Sequence, residues 1–213
     1  MSLKLPWDIE SLHLICERDE ESWLHGGTHY FHENNSSILA VAHLDCVQAY
    51  AGFDFEETDG HSTVHCTTLD DRLGVYIITE LLPSIGVTAD VLLSTDARHG
   101  ESTAQMFIPE KKYHWIFSFD RKGSGVVLYQ YGDAEILQLM QKYGFEVHEG
   151  YRSDIVLMDH LECKAFNFGC GYHEPLTDKS FAVLDESEVN ILRFQQFYND
   201  HKNTLMPHVP SYL

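Results

Sequence analysis

The chain contains no apolar run of about 18 residues, the length needed to cross a bilayer, so it predicts no transmembrane helix. It also has few positive charges. Its 213 residues include 14 Lys and Arg against 33 Asp and Glu, which gives a formal net charge of −19. A surface of this sign repels phosphate groups, so we expect neither nucleic acid nor an anionic membrane as a partner.

Cysteine is scarce, and no CxxC pair occurs among the five cysteines of the chain. An odd number of cysteines in a chain long enough to bury its own core does not suggest a disulfide framework. The first twenty residues also lack the apolar segment of a secretory signal peptide. We therefore expect reduced cysteines and a cytoplasmic location.

Disorder is also not expected, because 44% of the residues are hydrophobic and 12% are aromatic. The length suits a single α/β domain over residues 1–213. Within it, residues 1–3 are interpreted as a cloning remnant. Residues 202–213, which include Pro207 and Pro210, are predicted to form a loose C-terminal extension.

Strand-like and helix-like segments alternate along the chain. Apolar strand patterns occur at 38–42, 62–68, 89–94, 113–119 and 164–168, with segment 125–129 pairing beside one of them. Helical spacing occurs at 70–82, 101–107, 133–143, 153–158 and 186–199. The alternation predicts an α/β fold of three layers, helix–sheet–helix, around a mixed and mainly parallel central sheet.

Polar side chains stand where ligands bind in such folds, beyond the carboxyl ends of the strands. His43 ends one predicted strand, Asp120 follows another, and Asp70 opens a predicted helix. Each also has a purely structural explanation: a buried histidine satisfied by hydrogen bonds, a turn residue and a helix-capping acid. It is their occurrence together, at the ends of strands, that suggests a site.

Taken together, the motifs around these residues resemble the di-zinc exopeptidase superfamily, which comprises zinc aminopeptidases, related carboxypeptidases and acyl-amino-acid amidohydrolases. The resembling segments are His43-Leu44-Asp45, Leu69-Asp70-Asp71-Arg72-Leu73-Gly74, Phe119-Asp120-Arg121-Lys122-Gly123, Ser153-Asp154 and Gly171-Tyr172-His173-Glu174-Pro175-Leu176-Thr177. They span residues 38–181 in the family's order. The resemblance implies a zinc-exopeptidase-like fold in which His43, Asp70 and Asp120 bind metal and Asp45 orients His43.

The departures from the family pattern are concentrated on one of the two zinc sites. Family members carry a Glu-Glu pair, the first acting as general base and the second binding zinc. These positions fall on Ala97 and Arg98, and the family's last histidine ligand falls on Leu176. The lost ligands serve the same zinc, so the resemblance suggests one metal site kept and one deleted. The second domain common in the family is expected to be absent.

The remaining ligand set is one histidine nitrogen and two carboxylates. One zinc ion with a bound water fits this set, and manganese or iron would tolerate it. We hypothesise that the Arg98 guanidinium occupies the vacated zinc position and pairs with Asp70; the alternative is that it points to solvent. A second alternative is that His173 and Glu174 replace the lost histidine and restore a second metal.

Catalysis needs a proton acceptor that Ala97 cannot supply. Asp96, His99 or Glu101 could stand in, although each could equally cap a helix or face water.

The sequence supports two hypotheses about function. The first is a metallopeptidase-like hydrolase with a reduced single-metal site, acting on amide bonds of small peptides or acylated amino acids. The second is a catalytically inactive homologue that binds a metal, a small ligand or a protein through the old cleft.

Overall fold

A computed structural model describes residues 4–24, 27–97 and 101–210. The strands are β1 (Tyr30–His32), β2 (Ile38–His43), β3 (Phe53–Thr58), β4 (His61–Cys66), β5 (Asp90–Ser94), β6 (Trp115–Arg121), β7 (Val126–Val127), β8 (Val147–His148), β9 (Lys164–Gly169), β10 (Tyr172–His173) and β11 (Phe181–Val183). The helices are α1 (Ile9–Glu17), α2 (Glu21–Leu24), α3 (Leu69–Tyr76), α4 (Leu82–Ser84), α5 (Ala134–Lys142) and α6 (Leu184–His201). Among the described residues, none of these helices has both the length and the apolarity needed to cross a membrane.

A seven-stranded sheet forms the centre of the fold, in the order β1-β5-β2-β6-β9-β7-β8. Its central strands β5, β2, β6 and β9 are parallel neighbours, while β1 and β7 pair antiparallel to theirs. The predicted mixed, mainly parallel sheet is therefore confirmed. Because β2 and β6 are adjacent and parallel, their carboxyl ends bring His43 and Asp120 to the same edge.

Alternate side chains of the central strands enter two separate cores, since successive strand residues point to opposite faces. Trp115, Phe117 and Phe119 pack with residues of α1, α3 and α6. Leu39, Val41 and Ile116 point the other way. That second face is covered by short 3-10 segments: Thr103–Met106, Tyr129–Tyr131 and Asp154–Leu161. Three layers are present as predicted, but segments 101–107 and 153–158 are 3-10 turns and not α-helices.

A second sheet was not predicted. It has four antiparallel strands in the order β10-β11-β4-β3, of which the sequence indicated only the segment 62–68. Its strands are short, and β3 is almost wholly exposed, so the alternation of apolar residues is weak there. Through β10 and the loop that follows it, this sheet places residues 174–177 beside the amino end of α3.

Helix α1 was also missed. Asp8 caps its first turn by accepting a hydrogen bond from the Ser11 backbone N–H, and Leu12, Ile15 and Cys16 are its buried residues. The apolar face of this helix contains only three buried residues, and acidic residues flank it, so the helical spacing of apolar residues is weak.

The predicted helix 70–82 starts one residue earlier and continues to Ser84 through a π-helical turn at Ile77–Leu81. That turn ends two residues before Pro83, whose ring disrupts ordinary i→i−4 pairing.

The C-terminal segment is packed, in contrast to the predicted loose extension at 202–213. Met206 is buried, its N–H donates to the His114 carbonyl, and Pro207 forms a bridge with Cys163. His208 Nε2 lies 2.6 Å from Asp159 Oδ1. An apolar anchor at Met206 and the close approach of His208 to Asp159 thus hold residues that two prolines had suggested were free. Residues 1–3 and 211–213 lie outside the described residues.

Helix α3 lies unusually close to β6 because Gly74 has no side chain. A Cβ at this position would lie 1.9 Å from the carbonyl oxygen of Phe119, the residue that precedes Asp120. Only glycine permits this distance. The contact sets the position of the amino end of α3, which carries Asp70 and Asp71, relative to the end of β6.

We predict that Gly74→Ala lowers the free energy of unfolding by about 3 kcal/mol, because a backbone oxygen cannot rotate away from the new methyl group. The better helix propensity of alanine returns only about 1 kcal/mol. Denaturant titration of both proteins measures the difference. The control is Gly132→Ala, whose Cβ would meet no atom nearer than 3.2 Å, at a φ of −74°. An equal effect in both variants would contradict the packing argument.

Asp90, at the start of β5, fixes the loop before β2. Its carboxylate is fully buried and accepts hydrogen bonds from the backbone N–H groups of Asn34 and Ser36 and from the Tyr113 hydroxyl. Lys111 Nζ lies 2.7 Å from Oδ2. Burial acts to raise the pKa of Asp90, but these donors outweigh it, and the net pKa is lowered.

We predict that Asp90→Asn lowers the free energy of unfolding at pH 7 by about 2 kcal/mol, the range of charge-assisted hydrogen bonds. A lowered pKa in the fold contributes stability above the unfolded value of about 3.9, and this contribution is lost as pH falls through the folded value. The difference from wild type should therefore shrink between pH 7 and pH 3 in urea titrations. Glu33→Gln, which removes the exposed partner of Lys111, is the control and should cost less than about 1 kcal/mol. A pH-independent loss would contradict this origin.

Candidate active-site cleft

His43 stands at the carboxyl end of β2, buried between three acids. Its Nδ1–H donates to the Asp45 carbonyl at 3.0 Å, and its Nε2–H donates to Asp120 Oδ1 at 3.3 Å. The Asp45 carboxylate lies 3.5 Å from Nδ1, and Asp71 Oδ1 lies 3.9 Å from Nε2. The structure therefore brings together His43, Asp120 and the predicted orienting residue Asp45.

The electrostatics favour the charged form of His43. Burial acts to lower its pKa, but the hydrogen bonds to Asp120 and Asp45 and the negative charge of Asp120 outweigh it, so the net pKa lies well above its ordinary value. The surrounding acids thus favour the protonated ring. Both of its nitrogens are occupied as donors, and a metal would have to displace the Nε2 proton before binding there.

Asp70 and Asp71 open α3 and are each only 4% exposed. Asp70 Oδ2 accepts the backbone N–H of Leu176 at 2.7 Å. Asp71 Oδ2 accepts the backbone N–H of Val47 at 3.2 Å, while its other oxygen approaches His43. Asp71, which belongs to the resembling segment Leu69–Gly74 but was not among the predicted ligands, is thus the acid of this pair whose oxygen lies within 4 Å of the histidine.

A β-bulge turns the end of β6. In the pairing with β9, Phe119 stands opposite Phe168 and Arg121 opposite Gly169, so Asp120 has no partner of its own. Bulges of this kind re-aim side chains at the rim of a sheet. Here Asp120 and Arg121, neighbours in sequence, both line the same cavity.

Asp154 completes the acidic floor and was assigned no role by sequence, although the Ser153-Asp154 pair belongs to the resemblance. It is 5% exposed, and its Oδ2 accepts the Ser94 hydroxyl at 2.6 Å. Burial raises its pKa, although the positive charge of His43 and the Ser94 hydrogen bond oppose the shift. Ser94 stands opposite His43 in the β2–β5 pairing, and its hydroxyl connects Asp154 to this edge of the sheet. Only this contact in space identifies Asp154 as part of the site.

These residues border a cavity of about 540 Å³ at the carboxyl edge of the central sheet, which we call the cleft. His43, Asp70 and Asp120 line it. So do Ala97 and Leu176, the positions where the family pattern places its general base and its last histidine. The Ala97 N–H also donates to Asp45 Oδ1 at 3.3 Å. Two of the three departures from the family pattern, Ala97 and Leu176, therefore lie on the wall of the cleft.

The other candidates lie elsewhere. Glu101 is exposed and is not among the residues that line the cleft. His173 Nε2 lies 2.8 Å from Glu186 Oε2, and its ring stacks on Phe181, so it is committed to α6 and β11. Glu174 lines a separate depression on the second sheet. His99 and the hypothesis of an Arg98–Asp70 pair fall outside the described residues.

The donors of the cleft fit a metal only in part. Two ligands on a tetrahedral zinc, each about 2.0–2.1 Å from the ion, are separated by about 3.3 Å. His43 Nε2 and Asp120 Oδ1 have this separation. Asp70, however, is turned to the Leu176 N–H, and within the described part of the chain no three His, Cys, Asp or Glu side chains are grouped to hold an ion. The pair fits zinc, whereas the predicted trio does not.

No protein-family model and no curated protein matches the sequence. Solved structures do match. They include PhTET1-12s, described as a dodecamer (TM-score 0.58, 12% identity, 92% of this chain and 99% of that chain), and aminopeptidase PepT from Bacillus cereus (0.57, 10%, 87% and 89%). An endoglucanase from Thermotoga maritima also matches (0.55, 12%, 90% and 97%). At these identities the likeness concerns the fold, and the chain has the α/β fold of the aminopeptidase, which confirms the zinc-exopeptidase-like fold that the resemblance implied.

Proposed function

We propose that the chain is a catalytically inactive homologue of the exopeptidases that binds a short peptide or an acylated amino acid in the cleft. The observation that carries this proposal is the presence of Ala97 and Leu176 on the cleft wall. A methyl group cannot accept a proton and an isobutyl group cannot bind a metal. Loss of a general base alone typically lowers the rate of a reaction by about 10²–10⁴-fold.

The charge balance of the cleft supports binding without a metal. Asp45, Asp71 and Asp120 surround His43, and carboxylates this close together repel unless a cation separates them. The raised pKa of His43 favours a positive charge on its ring among these acids. An ion bound at Nε2 would have to displace the proton that this nitrogen donates to Asp120.

The shape and lining of the cleft support a small organic ligand. Its volume of about 540 Å³ lies in the range of ordinary ligand pockets. Polar groups are concentrated on the floor, and Val47, Leu157, Pro175 and Leu176 provide apolar walls. A side chain of a peptide or an acyl group suits such walls, and an amide suits the polar floor. The five free cysteines suit a reducing compartment such as the cytoplasm.

A hydrolase with a single metal is the second candidate, favoured by the 3.3 Å between His43 Nε2 and Asp120 Oδ1. In that case His43, Asp70 and Asp120 would hold the ion, zinc or else manganese or iron. Asp96, His99 or Glu101 would have to take over the work of the missing base. The two candidates can be distinguished by activity, because only the hydrolase would show turnover that depends on a metal.

We predict that the purified protein does not hydrolyse leucyl-anilide or N-acetyl amino acids, with or without added zinc. The reason is that Ala97 stands on the cleft wall where the family has its general base. The same protein should bind N-acetyl-leucine, detected by calorimetry and by a raised Tm. Elemental analysis runs in parallel. Zinc-dependent turnover that is lost in Asp70→Ala and Asp120→Ala would overturn the proposal in favour of the single-metal hydrolase.

Restoring the family residues tests the same reasoning in the opposite direction. We predict that the combined variant Ala97→Glu, Arg98→Glu, Leu176→His binds more zinc per chain than wild type, because it returns the family's two carboxylates and its histidine to their positions in the sequence. The matched control is Ala97→Gln, Arg98→Gln, Leu176→Asn, which introduces polar side chains without this ligand set. Elemental analysis after dialysis compares the two. Equal zinc content would contradict the assignment of these positions.

A further inference from the structure

We propose that Arg121 and Arg152 form an anion-recognition pair on the rim of the cleft, selecting ligands that carry a free carboxylate. The inference rests on the proposed binding function and names its ligand class: short peptides or acylated amino acids with an unblocked carboxyl end, in preference to their amides. Both arginines line the cleft.

The first arginine is aimed by the bulge at the end of β6. In a regular strand Asp120 and Arg121 would point to opposite faces. The extra residue between the Phe119–Phe168 and Arg121–Gly169 pairs removes this constraint, and both side chains reach the cleft. The bulge thus places the acid Asp120 and the cation Arg121 side by side in the lining of the cleft.

The second arginine is positioned by a loop that is fixed at several points. The Tyr129 hydroxyl donates to the Arg152 carbonyl at 3.1 Å, and a Cβ on Gly150 would approach Val127 Cγ1 to 2.9 Å, so the loop packs tightly on β7. Arg121 Nη2 donates to the Glu149 carbonyl at 3.4 Å. One arginine therefore touches the loop that carries the other, and both arginines line the cleft.

Within the described part of the chain, neither guanidinium forms an ion pair with an acid. Among the described residues, no carboxylate lies within 4.0 Å of the Arg121 or Arg152 guanidinium, although the chain has 33 acidic residues. Elsewhere the excess acid does pair with cations, as Asp133 does with Lys164 and Asp90 with Lys111. Two unpaired arginines at one opening are therefore available to a ligand.

The net charge makes such a pair necessary for this ligand class. A protein of charge −19 repels anions at long range, and the floor of the cleft adds Asp70, Asp120 and Asp154. A ligand carboxylate is tolerated only where local cations outweigh that field, and guanidinium groups bind carboxylates with paired hydrogen bonds. The carboxylate is then held at the rim, away from the acids, with the amide directed inward.

The experiment measures the affinity of N-acetyl-leucine and of N-acetyl-leucinamide by calorimetry at low salt. The two probes have the same shape and differ by one charge. We expect wild type to prefer the acid, and Arg121→Gln and Arg152→Gln each to weaken acid binding by about tenfold while leaving amide binding unchanged, in line with the strength of a charged hydrogen bond. Lys122→Gln is the control, since it removes an exposed charge next to Arg121 that does not line the cleft.

Equal affinity for the two probes, or arginine variants that behave like Lys122→Gln, would overturn the anion-recognition pair while leaving ligand binding in the cleft intact. Failure of wild type to bind either probe would overturn both this inference and the proposed function. Loss of amide binding in the arginine variants would also count against the pair, because the effect would then be structural; an unchanged Tm in the variants guards against misfolding.

Discussion

The cleft depends on the contact of a buried histidine with the acids that surround it. Five aspartates approach one edge of a sheet in a protein that is already strongly acidic, and carboxylates this close together repel one another unless a cation lies among them or one of them is protonated. His43 stands among them because β2 and β6 are parallel neighbours and place its Nε2 3.3 Å from Asp120, and these acids favour the protonated ring. The histidine thus offsets part of the acidic charge at the edge where Ala97 and Leu176 stand in place of the family's base and ligand.

The backbone supports that arrangement through close packing. Gly74 lets α3 approach β6 until the helix touches the carbonyl oxygen of Phe119, and the bulge that follows redirects Asp120. The loop of residues 174–176 closes the other side, with Leu176 at a φ of +62° and its N–H on Asp70. A bulky residue in the left-handed region costs energy, and its hydrogen bond to a buried carboxylate offsets that cost. Asp70 is thus held by the residue that stands where the family pattern has a ligand.

The central sheet could be predicted because its strands are buried on both faces and appear as continuous apolar runs, as in Ile38–His43 and Trp115–Arg121. The elements that escaped prediction have a weaker signal: α1 shows a narrow apolar stripe, β3 is exposed, and the 3-10 segments have no long period. In the cleft, His43, Asp70 and Asp120 were predictable as ends of strands and as the start of a helix, whereas Asp45 followed only from the resemblance. Arg121 and Arg152 were not predictable, because a bulge and a loop bring them into the site, and neither leaves a pattern in sequence. The closeness of Asp71 and Asp154 to His43 depends on the packing of separate elements, which the sequence does not show.

The distribution of charge explains how one cleft can be both acidic and suited to an anion. The buried acids lie around His43, which contacts them through hydrogen bonds, whereas Arg121 and Arg152 line the cleft without an acidic partner among the described residues. A small molecule with a carboxylate at one end and an amide at the other matches this order from rim to floor. The order does not require a reacting centre. If the hydrolytic residues were lost while the arrangement of charges was kept, the cleft would still bind the ligand without hydrolysing it.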